Sequence, residues 1–325
     1  GRGGGVAVPR SPVAVPGHGE GSAKQARILE QEGLTMEFAP SAKVDEVCAR
    51  MWAFMLEEVF PAEQEYARWR ADNDPHAHPP VLERLKSSAR KRDLWNLFLP
   101  EISGLSNLEY AAVAEISGWS PVIAPEAINC QAPDTGNMET LHLFGTPQQK
   151  ARWLDPLLSG EIRSAFAMTE PDVASSDATN ITTQIVPDGD SYVINGQKVW
   201  TSRALHSDLM LLLARTMPLD QVKKKSEGLS VFLLDIREAL GKGLDIRPLK
   251  AMINHNTTEV FFDNLRIPAD CLIGEEGKGF KYILDGMNAE RILIAAECVG
   301  DAKWFTEKST AYARDRHVFG RAIGQ

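Results

Sequence analysis

The 325-residue sequence predicts a multi-domain α+β protein with helices first, an antiparallel β-sheet or small barrel next, and helices again at the end. Apolar residues recur at three- and four-residue steps up to about Gly160, then alternate with a period of two, and return to helical spacing near Lys278. Strand-like runs that follow one another without helices favour antiparallel pairing. A Rossmann domain needs helices between its strands and is disfavoured.

The first part of the chain divides into a linker and a helical domain. Residues 1–22 are rich in Gly and Pro and have no periodicity, so we expect a largely unstructured linker over 1–39. Helical periodicity begins after Ser41, and Pro61 is placed to begin a further helix. We therefore expect a helical domain over 40–160, with amphipathic stretches at 81–99, 107–119, 138–145 and 147–160.

Period-two patterning predicts a middle β domain over residues 161–272. Asp188-Gly189 and Asn195-Gly196 are strong hairpin signals. The strands are expected at 164–168, 182–186, 191–196, 198–202, 209–215, 229–236 and 258–267.

The last segment, 273–325, predicts the start of a C-terminal helical bundle. Its helical spacing puts one apolar face on Ile292, Ala295, Ala296, Val299 and Ala302. The chain begins without Met and stops inside a segment that looks unfinished, so we expect both ends to be cut.

Composition excludes several classes of function. Lys and Arg total 35 against 44 Asp and Glu, which gives a formal charge of −9 and argues against broad nucleic-acid binding. The four cysteines are widely spaced without a C-x-x-C pair, so neither a disulfide framework nor a zinc site is expected. No apolar run is long enough to predict a membrane span.

Four spaced motifs resemble those of the acyl-CoA dehydrogenase family. The resemblance covers residues 40–325 and implies that family's fold. The segment TEPDVASSDATNI resembles that of a subfamily whose members, in some eukaryotic proteins, follow a kinase-like domain. The four motifs are FAMTEP (166–171), KVWTS (198–202), VFFDNLRIPADCLIGEEGKGF (260–280) and DRHVFGRAIGQ (315–325).

The resemblance implies an FAD-binding protein. Phe166, Met168 and Thr169 match the family's flavin-binding TEP segment. Trp200 matches an aromatic residue packed on the flavin ring, and Ser202 matches a hydroxyl near flavin N5. Strand alternation predicts that the last two side chains share one face. A strand Trp is often ordinary core, and Thr169 could simply cap a turn.

Further residues match contacts with the rest of the cofactor and with the substrate. Ser176 matches a serine that meets pantetheine or the FAD pyrophosphate, but an extra residue after Pro171 leaves Ser175 as an equal candidate. Their run is also good turn and capping chemistry. Arg291 matches an Arg near the active site.

Two residues near the end of the sequence match contacts across a subunit boundary. Arg316 and Phe319 correspond to residues that reach the FAD of a neighbouring subunit, which implies a homodimer or homotetramer. An Arg fork suits a pyrophosphate, although a lone Arg is more often a solvated surface charge.

The catalytic base is expected at one of two places. Glu290 matches the family position just before the Arg on the first long C-terminal helix, whereas the other family position lies beyond Gln325. Glu290 is equally explained as an ordinary first-turn glutamate favoured by the helix dipole. As a base it should sit beside apolar groups that raise its pKa towards working pH.

The implied activity is α,β-dehydrogenation of a fatty acyl-CoA to a trans-2-enoyl-CoA, with electrons passed to an electron-transferring flavoprotein. An acyl-CoA oxidase would share the flavin motifs. A truncated, non-catalytic isoform or fragment is the third interpretation, and we expect the 325-residue piece alone to hold FAD poorly. The expected compartment is the mitochondrial matrix, with the peroxisome as the alternative.

Overall fold

In the computed structural model, helices cover the first part of the described chain, which comprises residues 40–74, 76–175, 177–252 and 256–325. The linker predicted over 1–39 lies outside the described residues. The helices are α1 Ala42–Phe54, α2 Phe60–Asp72, α3 Pro80–Lys91, α4 Pro100–Ser103, α5 Asn107–Ser117, α6 Ala124–Ala127, α7 Asp134–Phe144, α8 Pro147–Gln149 and α9 Asp155–Ser159.

Local signals explain where several helices begin and end. Ser41 caps α1, Ser106 and Glu109 form a capping box at α5, and Gly104 ends α4 in a left-handed conformation. Two expectations were wrong at the boundaries. The stretch predicted as helical to residue 99 leaves the helix at Lys91, and α7 begins at Asp134, four residues before the stretch predicted at 138–145.

A short π-helix leads into each of two helices that have a proline near their start. Met55–Val59 leads into α2 and Lys150–Leu154 leads into α9, and in both following helices a proline is near the first position. Proline lacks an N–H and clashes with the carbonyl four residues earlier. The wider turn accommodates this, so Pro61 does begin a helical segment while the chain keeps its helical path.

One mixed sheet of eight strands forms the middle of the chain, in the order β6-β7-β3-β2-β4-β5-β8, with β1 pairing in parallel with β4. β2 also meets β4 in parallel, through Gln184 and Arg215, and the remaining pairings are antiparallel, which confirms the predicted fold class. The strands are β1 Ser164–Ala167, β2 Gln184–Asp188, β3 Ser191–Ser202, β4 Leu209–Arg215, β5 Leu229–Asp235, β6 Leu244–Pro248, β7 Thr257–Pro268 and β8 Leu272–Ile273, with the short helix α10 Ile236–Ala239 after β5.

Only one of the two predicted hairpin turns is present. Gly189, with φ of 67°, lies between β2 and β3, which pair as a hairpin. The prediction at Asn195-Gly196 was wrong, because both residues lie inside β3 at a register shift between Ile194 and Gly196. A Cβ on Gly196 would lie 2.6 Å from Thr183 Oγ1, so the glycine serves a close approach of chains.

Strand β4 is buried on both faces of the sheet. Alternate residues of β4 enter two different cores: Leu209, Leu211 and Leu213 pack with the helices, while Met210 and Leu212 pack on the opposite face. A strand buried on both sides is expected to read as a continuous apolar run, as this one does.

The long helix α11, Gly279–Asp315, packs against α5 and α7 and ends before a short hairpin of β9 His317–Val318 and β10 Arg321–Ala322. The residues of the predicted apolar face do share one side of α11, but that side is largely exposed in the described residues. Ile292 and Val299 are exposed, and the buried stripe runs instead through Leu293, Glu297 and Gly300. The position of the helices that pack against α11 determines which of its sides is buried, because several sides of α11 are apolar enough to be buried.

Glycines allow α11 to touch its neighbours backbone to backbone. A Cβ on Gly300 would lie 1.9 Å from the Glu115 carbonyl oxygen, and one on Gly118 would lie 2.0 Å from the Glu297 carbonyl oxygen. Real carbon–oxygen contacts are far longer, so any side chain here forces the helices apart.

Gly300→Ala should therefore destabilise the protein by about 2 kcal/mol or more, because the contact is against backbone that cannot rotate away. Chemical denaturation measures the change. Cys298→Ala on the exposed side of the same helix is the control and should change stability by less than about 0.5 kcal/mol. Equal effects of the two substitutions would refute the close backbone contact.

Candidate active site

The turn that follows β1 is held by a buried carboxylate. Glu170 Oε2 accepts hydrogen bonds from the Thr182 N–H at 2.7 Å and the Thr182 hydroxyl at 2.8 Å. Its Oε1 accepts from the Thr183 N–H at 2.8 Å and from Lys198 Nζ at 2.9 Å. The turn is thereby fastened to β2 and β3.

Lys198 carries that connection to the residues predicted to contact flavin. Its ammonium, fully buried, also donates to the Met168 carbonyl at 2.9 Å, and the Val199 N–H donates to the Thr169 carbonyl at 2.9 Å. Burial acts to raise the pKa of Glu170, but the charge of Lys198 and the hydrogen bonds outweigh it and lower that pKa to about 2. The carboxylate is charged at neutral pH.

The strand containing Trp200 and Ser202 is irregular at this point. Trp200 has a φ of 61° and is 61% exposed, and the β3–β7 register shifts between Lys198 and Thr201. Simple alternation is broken, so it no longer places Trp200 and Ser202 on one face. The conformation instead leaves the indole in the open, while Ser202 is half-buried.

Glu290 lies against the N-terminus of helix α7. Its carboxyl oxygen Oε1 accepts from the Thr135 hydroxyl at 3.3 Å, and the Gly136 N–H also donates to the carboxyl. The reading of Glu290 as a first-turn residue was wrong, because it lies eleven residues (290 − 279) into α11. Capping of its own helix cannot explain it.

The surroundings of Glu290 raise its pKa. Burial is the main cause and brings the value to about 7, while the Thr135 and Gly136 donors act in the opposite direction. Glu290 and Phe166 line the same small cavity of about 20 Å³ between α7, α11 and β1. The structure therefore brings together two residues that the sequence placed in one site.

A second buried cluster joins the helices to the sheet around Glu126. Lys86 Nζ lies 2.8 Å and Arg163 Nε 3.0 Å from Glu126 Oε1, and Arg203 Nη2 lies 2.6 Å from Oε2. Burial acts to raise the pKa of Glu126, but these cations hold it well below its usual range. Asp134 adds hydrogen bonds from the Ser164 N–H at 2.7 Å and hydroxyl at 2.6 Å.

Other predicted residues lie away from this centre. Ser175 is exposed, and Ser176 lies outside the described residues. Arg291 is exposed and donates to Asn288 Oδ1 at 2.8 Å. These positions stay predictions.

Arg316 and the fully exposed Phe319 lie beyond the end of α11. At about 1.5 Å per helical residue, Arg316 is roughly 39 Å along the chain from Glu290. The contact predicted for Arg316 and Phe319 with the FAD of a neighbouring subunit stays a prediction.

Sequence reasoning missed the residues that hold the site together: Glu170, Lys198, Thr135, Gly136 and Asp134. For Glu170 and Lys198 a signal was available in the sequence: each is a charged residue, of opposite sign, in or next to a strand of apolar residues. A buried Lys is rarely found without an acidic partner. Thr135 and Gly136 gave no such signal, because only the folded chain places them beside Glu290.

The described residues contain neither a helix that could span a membrane nor a metal-ligand cluster. No helix among them is long and apolar enough to cross a membrane, and no group of His, Cys, Asp or Glu side chains there is arranged to hold a metal ion. The four cysteines are free thiols.

Comparison with known proteins gives matches along the described chain. Three family models match: the N-terminal domain of acyl-CoA dehydrogenases over residues 43–161, the middle domain over 165–265 and the C-terminal domain over 277–325. A solved acyl-CoA dehydrogenase-like structure from Mycobacterium abscessus superposes with a TM-score of 0.81 at 38% identity, covering 88% of this chain and 73% of that one. Solved structures of this fold include complexes with FAD.

The chain spans different shares of its relatives' lengths. The Mycobacterium tuberculosis protein named probable acyl-CoA dehydrogenase FadE2 is 45% identical over 89% of this chain, which spans 72% of that relative. Acyl-CoA dehydrogenase family member 11 from Gallus gallus is 42% identical over 88% of this chain, which spans 38% of that protein.

Lys198→Met should cost about 3 kcal/mol of folding free energy, because it leaves the Glu170 carboxylate buried without its cation. Lys278→Met is the matched control: Lys278 pairs with Glu275 at an exposed position, so stability should stay nearly unchanged. Denaturation curves at pH 7 compare the two. A small effect at Lys198 would mean that the pair does not hold the turn.

Proposed function

Because the chain belongs to the acyl-CoA dehydrogenase family, we propose that it is a flavin-dependent enzyme that dehydrogenates a fatty acyl-CoA thioester between its α and β carbons. One observation carries this proposal. Glu290 is a half-buried carboxyl with a pKa raised to about 7, held by hydrogen-bond donors and lining a small cavity with Phe166 of the segment that resembles the family's flavin site. A buried carboxyl that titrates near neutral pH is suited to removing a proton.

The chain's residues fit an FAD. Met168 and Thr169 are half-buried at the end of β1, and their carbonyls are already engaged by Lys198 and Val199, which leaves the turn rigid. Trp200 presents an open indole face beside them. A planar ring that covered this indole would bury an aromatic surface that is otherwise left in solvent. Bound here, FAD would supply the acceptor for the β-hydrogen.

In the proposed reaction Glu290 takes the α-proton of the thioester. Thr135 and the Gly136 N–H hold the carboxylate in one orientation and stabilise its charged form before the proton arrives. Gly136 lacks a side chain for a reason: a Cβ there would lie 3.0 Å from Glu290 Oε2 and would push the base away. The apolar side chains of Phe166 and Met287 line the small cavity beside the carboxyl.

The electron acceptor, the assembly and the compartment are further proposals. We infer transfer to an electron-transferring flavoprotein, with molecular oxygen as the alternative of an acyl-CoA oxidase. Turnover measured with and without the flavoprotein, in air and without oxygen, separates the two.

A homodimer or homotetramer would bring Arg316 and Phe319 to a neighbouring FAD. The mitochondrial matrix is the proposed compartment and the peroxisome its alternative.

Glu290→Gln should abolish turnover while FAD remains bound, because the amide keeps the shape of the carboxyl but cannot accept the proton. Acyl-CoA-dependent dye reduction measures turnover, and flavin absorbance measures the cofactor. Glu297→Gln, on the same buried stripe of α11, is the control and should retain activity. Unchanged turnover in Glu290→Gln would place the base elsewhere in the protein.

The pH dependence of kcat should follow the same group. Only the carboxylate form of Glu290 accepts a proton, so activity should rise with pH and level off above the pKa of about 7. One pH unit below that value, the rate should be about tenfold lower. A profile that is already level near pH 5 would mean that the base has an ordinary carboxyl pKa and is not this buried group.

A further inference from the structure

The first turn of helix α7 bonds to two different elements at once. Asp134 and Asn137 bond to strand β1. Thr135 and Gly136, which lie between them in the sequence, donate to the carboxyl of Glu290 on α11. All four residues are consecutive in one helix, so any shift of this turn moves both sets of contacts together. Strand β1 and Glu290 are therefore connected through a single helical turn.

Strand β1 is held to this turn by a closed set of hydrogen bonds. Asp134 Oδ1 accepts from the Ser164 N–H at 2.7 Å and from the Ser164 hydroxyl at 2.6 Å. The Asn137 amide donates to Ser164 Oγ at 2.9 Å and to the Ala165 carbonyl at 3.1 Å. Ser164 is fully buried, and Asp134 and Asn137 are buried as well. Hydrogen bonds in such surroundings are strong and directional, so they fix the position of the turn relative to the strand.

Glycines on both helices let α11 lie directly against this turn. A Cβ on Gly286, one helical turn before Glu290, would lie 2.8 Å from the Gly136 carbonyl oxygen and 2.9 Å from Thr140 Oγ1. The Thr140 hydroxyl donates to that same carbonyl oxygen at 2.8 Å. Because close-packed elements transmit displacements, a shift of α7 is passed on to α11 at the level of Glu290.

The turn acts on the Glu290 carboxyl in two opposite ways. Burial is the main cause of the raised pKa of Glu290, and the Thr135 and Gly136 donors lower that pKa. The negative charge of Asp134 raises it. Two further carboxyl groups interact with Glu290 from the same two helices of the described chain: Glu139 and Glu297.

Strand β1 ends in the segment that resembles flavin contacts, at 166–169. Under the proposed function, on which this inference rests, the α-proton and the β-hydrogen leave from neighbouring carbons. The Glu290 carboxyl and the flavin segment must then be held at a fixed separation. We propose that the first turn of α7 sets this separation, and that Asn137 and Ser164 are positioning residues of the reaction.

The test uses the full-length, FAD-loaded protein and compares Ser164→Ala with Ser230→Ala. Both serines are fully buried in strands, but the Ser230 hydroxyl lies on β5 and bonds to Thr216 and the Gly277 N–H. Ser164→Ala should lower kcat about tenfold, because the base is displaced from its working position. Its KM should stay within about twofold, since substrate binding is kept, and Ser230→Ala should leave kcat within about twofold.

The pH profile separates positioning from a simple loss of stability. In Ser164→Ala and Asn137→Ala the donors to Glu290 are loosened, so the midpoint of kcat against pH should rise by about half a unit or more. Asp134→Asn keeps an oxygen that accepts from Ser164 but removes the negative charge, so its midpoint should fall instead. A smaller amount of folded enzyme changes the height of the profile and leaves its midpoint in place.

Flavin absorbance reports whether each variant retains its cofactor, and Ser164→Ala decides the outcome where another variant loses FAD. An unchanged midpoint in Ser164→Ala, whether or not kcat falls, would overturn the inference. Loss of turnover in Glu290→Gln would still leave the proposed function standing in that case. Full turnover in Glu290→Gln would instead place the base elsewhere and overturn the inference with it.

Discussion

The buried pair between Glu170 and Lys198 is the constraint on which the candidate site depends. Removing a carboxylate and an ammonium from water is costly, and the arrangement is stable because each group is satisfied by further hydrogen bonds. Glu170 accepts hydrogen bonds from the two residues that precede β2, and Lys198 donates one to the Met168 carbonyl. The acidic turn after β1 and the irregular end of β3 thus become one rigid unit, and this unit carries the residues that resemble flavin contacts.

The second constraint aligns that unit with the helices. Glu126 is held by one cation from the helices and two from the sheet region, so the two layers cannot slide without separating buried charges. Asp134 binds Ser164 at the start of β1 and begins α7, whose next residues hold Glu290. The relation between Glu290 and the segment that resembles flavin contacts is therefore set by buried polar contacts, which are more directional than apolar packing.

Patterns that depend on neighbouring residues predicted the fold well, and patterns that depend on distant partners did not. The strand at Leu209–Arg215 and the turn at Gly189 follow from local apolar runs and turn chemistry. Strand β6, by contrast, is only half-buried along its length and has few apolar residues that would predict a strand. Its extended conformation depends on its pairing with β7. Likewise Gly136 and Thr135 become site residues only because α11 lies across them. Motif spacing indicated the segments that resemble flavin contacts, whereas the burial and the partners of their residues come from the structure.

The most direct measurement is a crystal structure of the full-length protein with FAD and an unreactive acyl-CoA analogue. The account predicts a Glu290 carboxyl oxygen within about 3.2 Å of the analogue's α-carbon, with the flavin ring against Trp200 and its N5 near Ser202. An α-carbon that faced a different carboxylate, with Glu290 still turned towards Thr135 and Gly136, would contradict it.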